Sequence, residues 1–137
     1  MANPTTLRVV TPEREAFTDE VEMVILPGVD GELGVLHGHA PLVTALKTGE
    51  VRVTKDGIVQ YLFIGEGFAS VQPDGVTLLV DRAERAEEID AARARRALER
   101  AQARLARKSQ EDDPRRAHEA MERALVRIKV ARHAGRS

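Results

Sequence analysis

The chain has 137 residues, a formal net charge of −1 and no cysteine. This length fits one ordinary domain, or a small domain with an appendage. Without cysteine, neither a disulfide framework nor a thiolate metal site can form, which is typical of cytoplasmic proteins. No apolar run approaches the roughly 18–20 residues that span a bilayer, and the N-terminus lacks a signal-peptide pattern. We therefore expect no direct insertion into a membrane.

The charge is divided unevenly along the chain. Residues 1–84 contain 6 Lys or Arg and 13 Asp or Glu, a net charge of −7, whereas residues 85–137 carry a net charge of +6. Such a division is typical of two segments with different surfaces and different partners. The sequence therefore predicts two domains, 1–84 and 85–137.

The first segment has the pattern of short β-strands rich in β-branched residues. Two pairs, Asp56-Gly57 and Asp74-Gly75, lie between such runs and predict hairpins with type I′ turns. Many short strands separated by turns favour an antiparallel sandwich or barrel. The predicted strands are Leu7–Val10, Val21–Leu26, Val51–Thr54, Ile58–Ile64, Phe68–Val71 and Val76–Val80.

The second segment is dense in Ala, Arg, Glu and Leu, which favour helices. Asp90 is a candidate N-cap for a helix that ends near Lys108, and Asp113-Pro114 predicts a second helix that ends near Ala134. A short polar loop between them predicts an antiparallel helical hairpin. Because its apolar faces consist largely of alanine, we expect the hairpin to be stable only against the sandwich, a partner or a ligand. Those faces are Ala94, Ala97, Leu98, Ala101 and Leu105, and Ala117, Met121, Ala124, Leu125 and Ile128.

Residues 27–46 are the most informative stretch, because four glycines fall within their first twelve positions. Glycine is costly inside regular helices and strands, so the pattern predicts a tight loop with positive φ angles or a close approach. A loop of this kind between apolar runs is more often a contact surface than a linker. The alternative is a glycine loop that only turns the chain.

Residues 31–42, Gly-Glu-Leu-Gly-Val-Leu-His-Gly-His-Ala-Pro-Leu, closely resemble a signature of the ε subunit of bacterial F-type ATP synthase. The resemblance extends from the segment 7–12 to the last helix and covers nearly the whole chain. It implies an α+β, mainly β fold, in which a flattened antiparallel β-sandwich of about ten strands precedes a two-helix antiparallel hairpin. One departure is His37, where the family usually has proline.

The same resemblance implies that the glycine-rich loop contacts the membrane ring of c subunits and that the sandwich flank packs on the γ shaft. A metal site of His37 and His39 with Asp30 and Glu32 is an alternative, although alternating histidines on an extended loop fix no tetrahedral geometry. By position, the partner-binding residues are Gly31, Glu32, Leu33, Gly34 and His39.

The first predicted helix carries many cations and has Glu99 as its counter-charge. A solvated helix face is one interpretation. An acidic partner is another, because in the family the extended hairpin lies against the catalytic β (and α) subunits and resists rotation in the hydrolysis direction. Nucleic acid is a third, although the sequence has no nucleic-acid-binding signature and no basic excess overall. The cations are Arg93, Arg95, Arg96, Arg100, Arg104, Arg107 and Lys108.

Some bacterial members of the family bind a regulatory ATP through an (Ile/Leu)-Asp-x-x-Arg-Ala motif, which this chain matches at residues 89–94. The aspartate would accept a hydrogen bond from the adenine amino group, and the arginines would bind phosphate oxygens. The sequence has no Walker loop and no nucleophile–base pair, so we expect no hydrolysis. The resemblance assigns to this ATP Ile89, Asp90, Arg93, Ala94, Arg100, Arg123 and Arg127.

In sum, the resemblance implies a non-catalytic central-stalk subunit that links the γ shaft to the c-ring and couples proton translocation to ATP synthesis. Its mobile hairpin would inhibit ATP hydrolysis. Such a protein lies peripherally at the cytoplasmic face of the bacterial cell membrane, requires no cofactor and binds no nucleic acid. The alternative is a free-standing nucleotide-sensing or protein-binding module on a β-sandwich, which would not co-purify with γ.

Overall fold

The computed structural model describes residues 3–107 and 113–135. Ten strands precede two helices, which confirms the mainly β fold with a C-terminal helical hairpin. A 3-10 turn, Ala86–Glu88, connects the two parts, and the helices are α1 (Ala91–Arg107) and α2 (Pro114–His133). The strands are β1 (Thr5–Val10), β2 (Glu15–Val21), β3 (Met23–Gly28), β4 (Gly31–Leu36), β5 (Leu42–Leu46), β6 (Gly49–Lys55), β7 (Ile58–Ile64), β8 (Gly67–Gln72), β9 (Gly75–Val80) and β10 (Ala83–Arg85).

The strands follow the order β10-β7-β6-β3-β5-β8-β9-β1-β2, and β4 pairs with β3 outside this path. The pairs are antiparallel except for β1 and β9, which run parallel. β3 and β5 pair at a single position, Gly28 with Leu46, so the sheet turns a corner there. The two halves on either side of this corner share one core, which makes the sheet a sandwich.

The sandwich core consists of aliphatic side chains at alternating strand positions. In β1, Leu7 and Val9 are fully buried, whereas Arg8 between them is exposed. In β7, Leu62 and Ile64 enter this core, whereas Phe63 points to the opposite face. One face of each strand is therefore free to contact the helices or a partner.

The glycine-rich stretch differs from its prediction, because residues 31–36 form strand β4 rather than a multi-turn loop. β4 pairs with β3 over its whole length and buries Val35, so its hydrogen bonds and one buried side chain offset the cost of glycine. Gly31 and Gly38 do have positive φ angles. At Gly28, a Cβ atom would lie 2.7 Å from the Gly31 carbonyl oxygen, which is the close approach that the pattern predicted.

The two predicted hairpin turns have different outcomes. Asp56 and Gly57 have φ angles of 51° and 76°, which confirms the type I′ turn between β6 and β7. Asp74 and Gly75 do connect β8 with β9, but the two-residue turn is Pro73-Asp74, and Gly75 already belongs to β9. A type I′ turn is wrong here, because proline at the first central position fixes φ near −65°.

Sequence patterns missed four strands, namely β2 apart from Val21, β4, β5 and β10. β2 is rich in polar residues and β10 has three residues, whereas β5 lies within the stretch 27–46 that was interpreted as a loop. The predicted strand Val21–Leu26 is in fact divided at Glu22, which separates β2 from β3. Tertiary pairing rather than local propensity defines these elements.

Both helix starts are confirmed. Asp90 Oδ1 accepts from the backbone N–H of Arg93 at 3.0 Å, and Asp113 Oδ1 accepts from that of Arg115 at 3.0 Å. Of the predicted apolar faces, Leu125 is exposed and does not belong to the buried face. Lys108 and most of the predicted connecting loop lie outside the described residues.

The hairpin packs on the outer face of β6 and β7. Val130 and Ala131 of α2 form a second apolar cluster with Phe63, Ala86 and Ile89. This cluster is separate from the sandwich core, and it joins the two predicted domains. The boundary between residues 84 and 85 falls inside β10 and stays a prediction.

Candidate partner surface and nucleotide site

A cavity of about 400 Å³ lies between α1, α2 and the strand β10. It contains five of the seven residues that the sequence assigned to ATP, namely Asp90, Arg93, Ala94, Arg100 and Arg127. The structure therefore brings together residues that are up to 37 positions apart in the sequence. The other lining residues are Arg82, Glu84, Glu88 and Ala97.

The start of the matched motif has structural roles in this arrangement. Ile89 is 1% exposed and packs in the second apolar cluster with Val130, so it does not line the cavity. Asp90 uses one carboxylate oxygen to cap α1 and still lines the cavity. The second oxygen leaves Asp90 able to accept a further hydrogen bond.

Arg127 is held in place by two contacts. Its Nε donates to Glu84 Oε1 at 2.7 Å, and its guanidinium carbon lies 4.4 Å from the centre of the Phe63 ring. These contacts fasten the middle of α2 to β7 and β10. A phosphate group in the cavity would therefore compete with Glu84 for this guanidinium.

Arg123 lies at a different, smaller cavity of about 60 Å³. Burial, together with the nearby cations of Arg82 and Arg127, lowers the pKa of the Arg123 guanidinium. Arg123 and Arg127 are thus electrostatic neighbours on α2 that line separate cavities. The smaller cavity is lined by Thr48, Glu66, Asp81, Glu119, Glu122 and Arg123.

Sequence reasoning missed three charged residues at the larger cavity: Arg82, Glu84 and Glu88. Glu88 accepts a two-pronged contact from Arg14, with distances of 2.9 and 3.2 Å, and this contact holds the pKa of Glu88 below its usual range. No sequence pattern connects these residues with the helices. Glu84 reaches the cavity because β10 pairs with β7 beneath α2, and Arg82 and Glu88 lie on either side of this strand.

Of the predicted partner-binding residues, four lie on or beside β4 and one follows it. Glu32 is exposed and forms an ion pair with Arg52 at 3.1 Å, whereas Leu33 is partly buried against the sandwich core. Gly31 and Gly34 have open space where a Cβ atom would stand. His39 is only partly exposed, and its Nδ1 contacts the Ala40 carbonyl oxygen at 2.7 Å.

The two histidines that follow β4 contact backbone oxygens. His37 Nδ1 lies 3.1 Å from the Pro4 carbonyl oxygen, and His39 contacts the residue next to it. Within residues 3–107 and 113–135, no group of three or more His, Asp or Glu side chains could hold a metal ion.

A row of apolar side chains crosses the outer face of the other half of the sheet. Strand pairing aligns Ala45 with Phe68, Phe68 with Leu79, and Leu79 with Val10. Val29 continues the row, because its N–H donates to the Ala45 carbonyl oxygen. Val29, Phe68 and Leu79 are each more than half exposed, which is unusual for several adjacent apolar side chains.

The cations of α1 are largely on its solvent side. The buried residues of α1 are Ala94 and Ala101, and each arginine side chain of this helix is exposed. Glu99 is the acidic residue within the helix. No helix in the described part of the chain has the length and apolar character needed to cross a membrane.

Both parts of the chain match families of known proteins. Residues 4–86 match the family model of the ATP synthase delta/epsilon chain β-sandwich domain, and residues 87–132 match that of its long α-helix domain. The ATP synthase epsilon chain of Pelotomaculum thermopropionicum is 54% identical over 91% of this chain and 93% of its own length. That of Desulforamulus reducens is 46% identical over 96% of this chain and 99% of its own.

A similar fold occurs in a solved structure. A chain of the Euglena gracilis mitochondrial ATP synthase structure, which contains OSCP, F1 and the c-ring, has a TM-score of 0.71 and 22% identity. The match covers 98% of this chain and 82% of that one. At this identity the likeness concerns the fold.

Proposed function

Because the chain belongs to the ATP synthase delta/epsilon family, as an epsilon chain and a non-catalytic subunit, we propose that it joins the γ shaft to the c-ring. In this proposal the sandwich is the docking part, and the helical hairpin regulates ATP hydrolysis. The subunit would lie peripherally at the cytoplasmic face of the membrane, attached through its partners.

The observation that carries the docking proposal is the apolar row of Val29, Ala45, Phe68, Leu79 and Val10, in which Val29, Phe68 and Leu79 are exposed. Val43, which is 71% exposed, stands beside it on β5. Contiguous exposed apolar side chains of this kind mark protein interfaces, since their burial removes apolar surface from water. We assign this row to the γ shaft, because a permanent contact between two subunits buries apolar surface.

The β3–β4 hairpin is the proposed ring contact. Asp30 in its turn is exposed, and Arg52 already orients the exposed Glu32 carboxylate. The exposed carboxylates of Asp30 and Glu32 suit polar or basic groups on the loops of a membrane ring. Gly31 and Gly34 would let the partner backbone approach closely.

Co-purification with γ tests the docking proposal. We expect Phe68→Glu to reduce the recovery of γ with the tagged chain at least tenfold, because a charge would be buried in an apolar contact. Ile58→Glu is the matched control, because Ile58 is 67% exposed but lies at the β6–β7 hairpin, outside the row. Equal recovery with both variants would contradict this surface, and failure of the unmodified chain to recover γ would favour a free-standing module.

We further propose that the cavity between the helices and β10 binds a regulatory ATP. Its arginines would face the phosphates, and Asp90 and Ala94 would face the adenine. The site holds four arginines and three carboxylates, so its charge favours an anion only modestly. Bound ATP would favour the packed hairpin because the lining residues come from both helices and from β10.

A thermal shift titration with ATP tests the nucleotide site. We expect a saturable rise in Tm that disappears in the Arg93→Ala/Arg100→Ala variant, since both side chains line the cavity. Arg95→Ala is the control, because Arg95 is exposed on α1 and does not line it. Arg127 is a poorer choice for this test, because its loss would also unfasten α2 from Glu84. A shift that persists in the double variant would exclude this cavity.

Removal of residues 91–137 tests the regulatory role. We expect the truncated chain to assemble with γ and to raise the ATP hydrolysis rate of the reconstituted complex. Loss of assembly would contradict the division of labour between sandwich and hairpin. An unchanged hydrolysis rate would contradict regulation by the hairpin.

A further inference from the structure

Glu50 is a buried carboxylate on the outer face of β6. Its side chain is 2% exposed and lies beside Phe63, with which it pairs across the sheet. Oε2 lies 2.7 Å from His133 Nδ1. Oε1 has no hydrogen bond within the described residues, although Arg52 Nη1 is 3.8 Å away. A carboxylate buried to this extent needs a donor, because it has lost most of its water.

His133, which supplies this donor, is the last residue of α2. Its ring centre lies 5.3 Å from that of Tyr61, and its side chain is 39% exposed. Val130 and Ala131 are buried within the preceding turn. The contact therefore joins the C-terminal end of α2 to the sheet, at the rim of the second apolar cluster.

The connection that leads into α1 lies beside this end of α2, because Ala86 and Ile89 share the second apolar cluster with Val130 and Ala131. Residues 85–88 are tied to the sandwich by contacts that do not involve the helices. Arg14 holds Glu88 at 2.9 Å, the Arg85 Nε donates to the Ala16 carbonyl oxygen at 3.3 Å, and the Arg85 guanidinium lies over Phe17. These contacts attach the connection to the sandwich independently of α2, whereas the His133 contact belongs to α2 and is lost if α2 leaves the sheet.

We propose that Glu50 and His133 form a latch that holds the hairpin in its packed state. Release of α2 removes the donor from Glu50, so the pair must break before the hairpin extends. Arg52 faces Glu50 from the same strand, and Lys129 and Arg132 accompany His133 on α2. The consequence for ATP hydrolysis rests on the proposed function, whereas the docking contact does not.

The latch predicts an asymmetry between its two partners. Loss of His133 leaves a buried carboxylate without its donor, which disfavours the packed state strongly. Loss of the carboxylate leaves only a partly exposed imidazole, which water can solvate. Once Glu50 is replaced by an apolar residue of similar length, the identity of residue 133 should no longer matter.

Hydrogen exchange of the isolated full-length chain tests this inference. We expect His133→Ala to speed the exchange of amides in residues 120–133 about tenfold or more, and the amides of β1 and β9 to be unaffected. In a Glu50→Met background, the same His133→Ala substitution should change these rates less than twofold. His118→Ala is the control, because His118 is an exposed histidine on the same helix.

Three results would overturn the latch: unchanged exchange in His133→Ala, an equal effect of that substitution in both backgrounds, or an equal rise in the sandwich amides. The test needs no other subunit of the synthase. If His133→Ala speeds exchange in the isolated chain but leaves the ATP hydrolysis rate of the reconstituted complex unchanged, the contact is upheld and the proposed regulation is contradicted.

Discussion

The sandwich and the helical hairpin are stabilised by side chains of different size. The sandwich core contains leucine, isoleucine, valine and phenylalanine from nine strands, most of them completely buried. Between α1 and α2, the buried residues are the alanines Ala94, Ala101, Ala117 and Ala124. Because hydrophobic stabilisation scales with buried apolar area, we expect the sandwich to fold independently and the hairpin to depend on its contacts with Phe63 and Ile89.

This difference predicts that the hairpin opens more readily than the sandwich. Alanine permits close helix packing, but each pair buries little surface, so we expect separation of the hairpin from the sandwich to cost little free energy. The polar contacts Arg127–Glu84 and His133–Glu50 fix the position of α2 on the sheet. A regulatory element needs such a balance, since two states must lie within a few kcal/mol of each other.

The largest expected effect is in the sandwich core. Leu78→Ala should lower the free energy of unfolding by about 2–5 kcal/mol, because it leaves a cavity at a fully buried position. The matched control is Leu79→Ala, the next residue of β9, which is 56% exposed and should change stability by less than about 0.5 kcal/mol. Urea unfolding monitored by circular dichroism measures both, and similar losses would contradict the assigned register of β9.

A smaller effect, confined to the hairpin, is expected from overpacking. Ala124→Leu should separate α1 from α2 and disfavour the packed hairpin by about 1–3 kcal/mol, because Ala124 is 1% exposed. Ala103→Leu, at an exposed position of α1, should have little effect. Hydrogen exchange should show the change in the helices and not in β1 or β9; a chain that unfolds as a whole would contradict the separation of the two parts.

The glycines of β4 provide a comparison within the sandwich. Gly31 has a φ angle of 131°, so Gly31→Ala should cost about 1–2 kcal/mol through backbone strain. Gly34 lies inside the strand with open space at its Cβ position, so Gly34→Ala should be neutral or stabilise by about 0.5 kcal/mol. Thermal unfolding of the two variants measures the difference. A large loss in Gly34→Ala would favour the tight loop over the strand.

The smallest effect concerns the junction of the two regions and depends on pH. Because Arg14 hydrogen bonds hold the pKa of Glu88 below 4.5, the ionised carboxylate stabilises the fold above that pH, and this stabilisation is lost as the pH falls through the lowered pKa. Glu88→Gln should therefore lower stability by about 0.5–1 kcal/mol at pH 7 and by less near pH 3. Urea midpoints at both pH values test this, with the adjacent exposed Glu87→Gln as the control. An equal loss at pH 3 would contradict the ionic origin.

The sequence predicted what depends on local chemistry. Helix caps at Asp90 and Asp113, the turn at Asp56-Gly57 and the mainly β class follow from residues that act on their immediate neighbours. The strand β4 was missed because local glycine cost indicated a loop, whereas pairing with β3 stabilises the extended backbone. β10 was missed because three residues carry no periodicity.

The candidate sites show the same limit. The motif at residues 89–94 indicated residues that line one cavity, because its aspartate and arginine fall on one helical turn, and ATP binding there stays a prediction. Arg82, Glu84 and Glu88 escaped notice, since only the pairing of β10 with β7 brings them to the helices. The apolar row from Val29 to Val10 likewise depends on register across five strands or turns, which no single run of residues reveals.

The most direct test of the two-part account is native-state hydrogen exchange of the full-length chain at increasing low concentrations of urea. We expect amides of α1 and α2 to exchange with a smaller free energy of opening and a smaller urea dependence than those of β1, β6 and β9. That result would show that the hairpin opens while the sandwich stays folded. Convergence of all these amides on one free energy and one urea dependence would contradict the account, because the chain would then open as a single unit.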